Sequence, residues 1–182
     1  WLSGQFEDEK VNIPRRPSSS PILLSFPQQR QLFLELLEPG TAVNNLSVCY
    51  QLTGKLDMDA LEESANRIII RNEVLRSHFA SDQGLPEAKL LSDLKITIER
   101  MDLRRVELSE QITQAHRLAE ELAHQPFDLS RAPLMRLKLF ELSENTFIFL
   151  IVIHHTIADG WSLGLFLNEL ISNYHDIVNN MT

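Results

Sequence analysis

Cysteine is nearly absent. Cys49 is the single thiol in 182 residues, so no internal disulfide is open to the chain, and a reducing compartment suits it. Its place in an alternating apolar stretch reads as structural rather than nucleophilic. Long apolar runs are missing too. The longest, Thr146 to Ile153, falls far short of the ~20 residues that a membrane-spanning helix needs. The N-terminus lacks the charged-then-apolar layout of a signal peptide. Positive charge is in deficit, with 17 lysines and arginines against 25 aspartates and glutamates and a net charge of −8. Such a field repels nucleic acid and anionic lipid. These shortages predict a cytoplasmic protein with no nucleic-acid and no membrane partner.

What is present suits one α/β domain: 43% hydrophobic and 23% charged residues, enough for a single core. The chain starts at Trp1 and stops just after an amphipathic pattern, from which we expect a piece of something longer. Residues 1–21 hold Pro14, Pro17, Pro21 and the run Ser18, Ser19, Ser20, the composition of a linker. The folded part is expected over 22–182.

Periodicity then divides that part. Leu32, Phe33, Leu36 and Leu37 recur at helical spacing after Ser25 and Pro27. Leu46, Val48, Tyr50 and Leu52 alternate as a strand. Asp57 caps a helix with Met58, Leu61, Ala65, Ile68 and Ile69 inward and Glu62, Glu63 and Arg67 toward water. Strands are predicted over 75–80 and 94–99, separated by a turn-rich piece at Gly84-Leu85-Pro86. Ser109 opens a helix with Ile112, Ala115, Ala119 and Leu122 on one face. Met135, Leu137 and Leu139 alternate, and after the turn Ser143-Glu144-Asn145 the run 147–153 reads as a central strand buried on both faces. Leu163, Phe166, Leu170 and Tyr174 mark a last helix. The fold class expected is α/β (α+β), a two-layer sandwich.

His154-His155-Thr156-Ile157-Ala158-Asp159-Gly160 leaves that buried strand where α/β sheets commonly present catalytic groups. Adjacent residues leaving a strand point to opposite sides, so one histidine can turn inward while the other faces a cleft. An imidazole titrates at about 6.5, which lets it take a proton from an attacking amine or alcohol and return it, as acyl transfer requires. Asp159 is placed to orient an imidazole or pair with an arginine, and Gly160 to supply a positive φ or a close backbone approach. The structural alternative is that these are polar residues closing a strand. No third ligand at zinc spacing accompanies them, so no metal is expected.

This segment resembles the HHxxxDG motif of condensation domains of non-ribosomal peptide synthetases, and Trp161-Ser162 extends the match. The shorter HxxxDG also marks coenzyme-A-dependent acyltransferases of the chloramphenicol-acetyltransferase-like fold. Ser25-Phe26-Pro27-Gln28-Gln29-Arg30 is similar to the family's SxAQxR, and Arg71-Asn72-Glu73-Val74-Leu75-Arg76-Ser77-His78-Phe79 to its RHExLRxxF. Pro126-Phe127-Asp128-Leu129 with Pro133-Leu134 resembles its PFDL stretch. Pro27, Phe33 and Asn72 depart from the usual alanine, tryptophan and histidine.

The resemblance implies one lobe of the chloramphenicol-acetyltransferase-like fold, with the C-terminal lobe absent. It implies an acyltransferase activity that joins a carrier-bound acyl or peptidyl thioester to the amine of a carrier-bound aminoacyl thioester. His155 is then the catalytic residue, as base or positioner, with His154 packed behind it. Asp159 holds the loop through an arginine, Arg71 or Arg76, and Gly160 completes the supporting set. No cofactor is bound directly, since the substrates ride on the phosphopantetheine of partner carrier domains. The partners implied are upstream and downstream peptidyl carrier domains, the missing lobe and an adenylation domain. Two rivals stand beside this reading: a non-catalytic lobe that docks carriers, and half of a coenzyme-A-dependent acyltransferase. Epimerisation and cyclisation relatives fit Asp159-Gly160-Trp161-Ser162 less well.

Overall fold

Local signals place most of the elements. The Ser25 hydroxyl accepts the Gln28 N–H while the Gln28 side chain accepts the Ser25 N–H, a reciprocal cap that starts helix α1, Phe26–Leu37, with Pro27 in its first turn. The computed structural model describes residues 16–17, 20–82 and 85–180, so most of the expected linker over 1–21 lies outside the described residues. Strand β1 is Asn45–Thr53. Asp57 accepts the Ala60 N–H and starts α2, Met58–Arg71, which buries Leu61, Ala65, Ile68 and Ile69 as its stripe predicts.

The other elements are β2 (Ser77–Asp82), β3 (Leu85–Leu90), β4 (Glu99–Asp102), α3 (Gln111–Ala123), β5 (Met135–Ser143), β6 (Thr146–His154) and α4 (Gly160–Val178). A four-stranded sheet runs β1-β6-β5-β4, and β2 and β3 form a separate hairpin. Strand β6 is antiparallel to both neighbours, while β4 runs parallel to β5. The expected turn closes the β5–β6 hairpin at Ser143↔Thr146. Every β6 residue after Thr146 is buried, as the continuous apolar run requires.

Phe149 and Leu150 point to opposite faces of the sheet. Leu150 shares a cleft with Ala119 and Ala123 of α3, Phe149 one with Leu167 and Leu170 of α4, and α4 packs on α2. The α2/α4 pair and the sheet make the expected sandwich, and α3 adds a layer on the far face. By contrast α1 buries only Leu32; Phe33, Leu36 and Leu37 are 59%, 65% and 62% exposed.

Several expectations need correction. The segment expected as a strand over 75–80 begins with a 3-10 turn, Glu73–Arg76, and pairs only from Ser77. Its partner β3 lies where the sequence shows turn residues. The strand expected over 94–99 pairs only from Glu99. Leu94, Ile96 and Ile98 are buried as their alternation predicts, but the backbone of Ile96 and Ile98 is held by a helix. The Asn66 amide donates to Ile96 O and accepts the Ile96 N–H, each at 2.9 Å, and Glu62, expected to face water, accepts the Ile98 N–H at 2.9 Å. Alternation reports burial, and side chains of α2 replace the strand neighbour. Helix α3 turns Gln111 inward and leaves Ile112 48% exposed, because Gln111 donates to Val106 O.

Replacing Asn66 by alanine strands both polar groups of the Ile96 backbone. We predict a loss of about 2–4 kcal/mol, seen as a lower urea midpoint at unchanged m-value. A midpoint like that of the wild type would show that water replaces the amide.

Candidate active site

The site grows out of the end of β6. The His154 N–H donates to Leu134 O at 2.9 Å, toward β5, and the His155 N–H donates to Asn44 O at 2.8 Å, on the β1 side. Successive N–H groups of an antiparallel strand alternate in this way, and their side chains go to opposite faces. His154 is therefore buried at 1% exposure, whereas His155 is exposed. One histidine faces the core and one the solvent, as the strand geometry leads one to expect.

His154 packs edge-on to Phe127, with ring centroids 6.1 Å apart. The Thr156 N–H donates to His154 Nδ1 at 3.3 Å, and Thr156 Oγ1 lies 2.8 Å from the same nitrogen. Nδ1 thus carries the lone pair and the ring proton sits on Nε2. Burial, and in smaller measure the neighbouring His155, lowers the His154 pKa to about 4. A buried neutral ring behind an exposed one is the result.

Asp159 is the N-cap of α4. Its Oδ1 accepts the Ser162 N–H at 2.8 Å and the Ser162 hydroxyl at 2.6 Å, and these bonds hold its carboxyl below the usual range. Neither arginine pairs with it. Arg71 pairs with Glu169 across the α2–α4 packing, and Arg76 donates to Ile69 O at 3.2 Å and Leu91 O at 2.8 Å. The expected arginine bridge gives way to a nearer donor, the free N–H of the helix's own first turn. Gly160 also departs from expectation: its φ is not positive, and a Cβ there would meet nothing within 4 Å. It opens α4 and leaves the helix start bare.

Two contributors carry no chemical signal in the sequence. The Gln28 Nε2 donates to Thr156 O at 3.0 Å, tying α1 to the histidine loop, and the buried Thr156 sets the tautomer of His154. The S-x-x-Q spacing announces the cap of Gln28 but not its tertiary bond. Among the described residues no three His, Cys, Asp or Glu side chains gather to hold a metal ion, and no described helix is long and apolar enough to cross a membrane.

The geometry can be set beside known proteins. The family described as Condensation domain matches residues 19–182. The chain belongs to the condensation-domain family. It is 41% identical over 180 residues to a linear gramicidin synthase chain of Brevibacillus parabrevis, covering 96% of this chain and 4% of that one. It is 37% identical over 164 residues to the phosphinothricin tripeptide synthetase PhsC of Streptomyces viridochromogenes, covering 90% and 15%. The first condensation domain of the CDA synthetase has the same fold, with a TM-score of 0.83 at 22% identity over 91% of this chain and 42% of that one. The chain thus spans a small part of these curated relatives and less than half of that solved chain. The α/β class and the chloramphenicol-acetyltransferase-like fold stand on these matches.

A histidine buried neutral is a liability in acid. Its folded pKa of about 4 lies below the ordinary 6.5, so the unfolded chain binds the extra proton between those values. Stability is then whole above pH 6.5 and falls as the pH drops toward 4, by on the order of 3 kcal/mol. We predict that His154→Gln removes this part of the pH dependence; equal slopes for both proteins would contradict it. For Asp159→Ala the cap reading predicts a loss of about 1 kcal/mol, against the roughly 3–5 kcal/mol of an orphaned buried charge. Thermal melting decides between the two.

Proposed function

We propose that this condensation domain forms amide bonds, joining a carrier-bound acyl or peptidyl thioester to the amine of a carrier-bound aminoacyl thioester, with His155 as the catalytic residue. The observation that carries the reading is the exposed His155 imidazole at the end of a buried, doubly paired strand. A side chain rooted there keeps its direction while a substrate approaches.

In the proposed reaction the amine nitrogen attacks the thioester carbonyl and a C–N bond forms. The imidazole of His155 takes the proton that nitrogen sheds, the C–S bond breaks, and the imidazolium returns the proton to the leaving sulfur. His154, neutral and buried, adds no competing charge behind it. Asp159 and Gly160 set the start of α4, which closes the loop; Arg71 and Arg76 act further back, in the packing of α2 against α4 and of the 3-10 turn against β3.

The substrates would arrive on phosphopantetheine arms of upstream and downstream carrier domains, with an adenylation domain loading them; no directly bound cofactor is invoked. Residues 22–182 would be the first lobe and residues 1–21 a linker, in a cytoplasmic synthetase. The open apolar face of α1 and Trp161, 85% exposed, support a second lobe as a covering wall. Without it amine and thioester are not held for attack and water has free access, so the 182-residue chain alone would give negligible product.

The test compares a complete two-lobed domain carrying this chain, its His155→Ala variant and the chain alone, with both carriers loaded and the product followed by mass spectrometry. We expect His155→Ala to lower turnover by about 10²–10⁴-fold with the melting temperature unchanged. Undiminished turnover would leave the carrier-docking reading. Turnover with acyl-coenzyme A but not with carriers would favour the coenzyme-A enzyme.

A further inference from the structure

We infer that Gln28 is a positioning residue for His155, acting through the carbonyl of Thr156; the inference rests on the catalytic reading above. The His155 backbone is pinned on its upstream side, where its own N–H donates to Asn44 O at 2.8 Å. Downstream, Gln28 Nε2 donates to the carbonyl of the following residue, Thr156, at 3.0 Å. The two bonds bracket the residue. Apart from His154 and Ser162, which flank the loop in the chain, Gln28 is the one side chain among the described residues that hydrogen-bonds the loop 155–159.

The amide is itself held. Its Oε1 accepts the Ser25 N–H at 3.0 Å, so the oxygen serves the cap of α1 while the nitrogen serves the loop. Gln28 is half-buried and Thr156 is buried, so little water is at hand to replace the bond. Helix α1 buries only Leu32, which makes this polar tie a main registration between α1 and the histidine loop.

The two ends of the amide can be separated. Gln28→Glu keeps an oxygen for the cap, where glutamate serves as well as glutamine, but sets a carboxylate oxygen against Thr156 O. Ser25→Ala removes the hydroxyl half of the cap and leaves the tie to Thr156. In the complete domain we expect Gln28→Glu to melt near the wild type while kcat falls about tenfold at little-changed KM, since a shift of about 1 Å in a reacting group costs up to 10²-fold. Ser25→Ala should do the reverse, melting lower at unchanged kcat. In the 182-residue chain, the Ile157 N–H, which donates to His154 O at 3.1 Å, should exchange with deuterium about tenfold faster in Gln28→Glu and in Gln28→Met, which can neither donate nor accept in kind.

Wild-type kcat in Gln28→Glu, or unchanged exchange in both Gln28 variants, would overturn the inference. So would losses of kcat that follow the melting temperature in Ser25→Ala and Gln28→Glu alike. Turnover that survives His155→Ala would sink the catalytic reading instead, and the exchange measurement, which needs no turnover, would still report on the tie.

Discussion

The structure depends on the pairing of β6 with a strand on each side. A strand covered by helices on both faces has no water for its peptide groups, so each must find a partner in β1 or β5. That demand fixes the register from Asn45↔His154 to Thr53↔Thr146, and the register fixes where the strand comes out. At its last residue the ladder still holds: His154 bonds toward β5 and His155 toward the β1 side. The direction of two imidazoles is therefore a product of backbone satisfaction in the core.

The contrast between the histidines follows from that alternation. The same residue type becomes a buried neutral ring against Phe127 in one position and an exposed one in the next. Asp159 continues the theme, because its carboxylate is consumed by the first turn of α4. The loop is held by its own ends: strand ladder before, helix cap after, and Gln28 between.

Much of this was legible in the sequence. The run 147–153 named the central strand, Ser25 and Pro27 marked the start of α1, and Asp57 that of α2. The motif singled out the loop and, by resemblance, the outward histidine; strand alternation said only that one of the two would turn inward. Other features were hidden for definite reasons. Residues 94–98 alternate as a strand does, yet alternation records only burial, and the groups that hold them sit on Asn66 and Glu62, 30 and 36 residues before their partners. The arginine bridge to Asp159 failed because charge pairing is a long-range guess, whereas a helix start always offers a free N–H nearby. The bond of Gln28 to Thr156 spans the chain, and no local pattern encodes it.

The pairing of β1 with β6 also has a meaning in time. Asn45 meets His154 although roughly a hundred residues separate them, so the sheet has high contact order and must close a long loop before it gains stability. On a ribosome, β1 emerges first and waits with both edges unpaired while α2, the β2–β3 hairpin, α3 and β5 are made. The bond from His155 to Asn44 can form only after that wait, so the histidine corner is assembled among the last parts of the chain. Until then the uncharged β1, whose one strand partner is β6, stands as an open edge prone to pair with strangers, while β6 on emerging finds β5 already made.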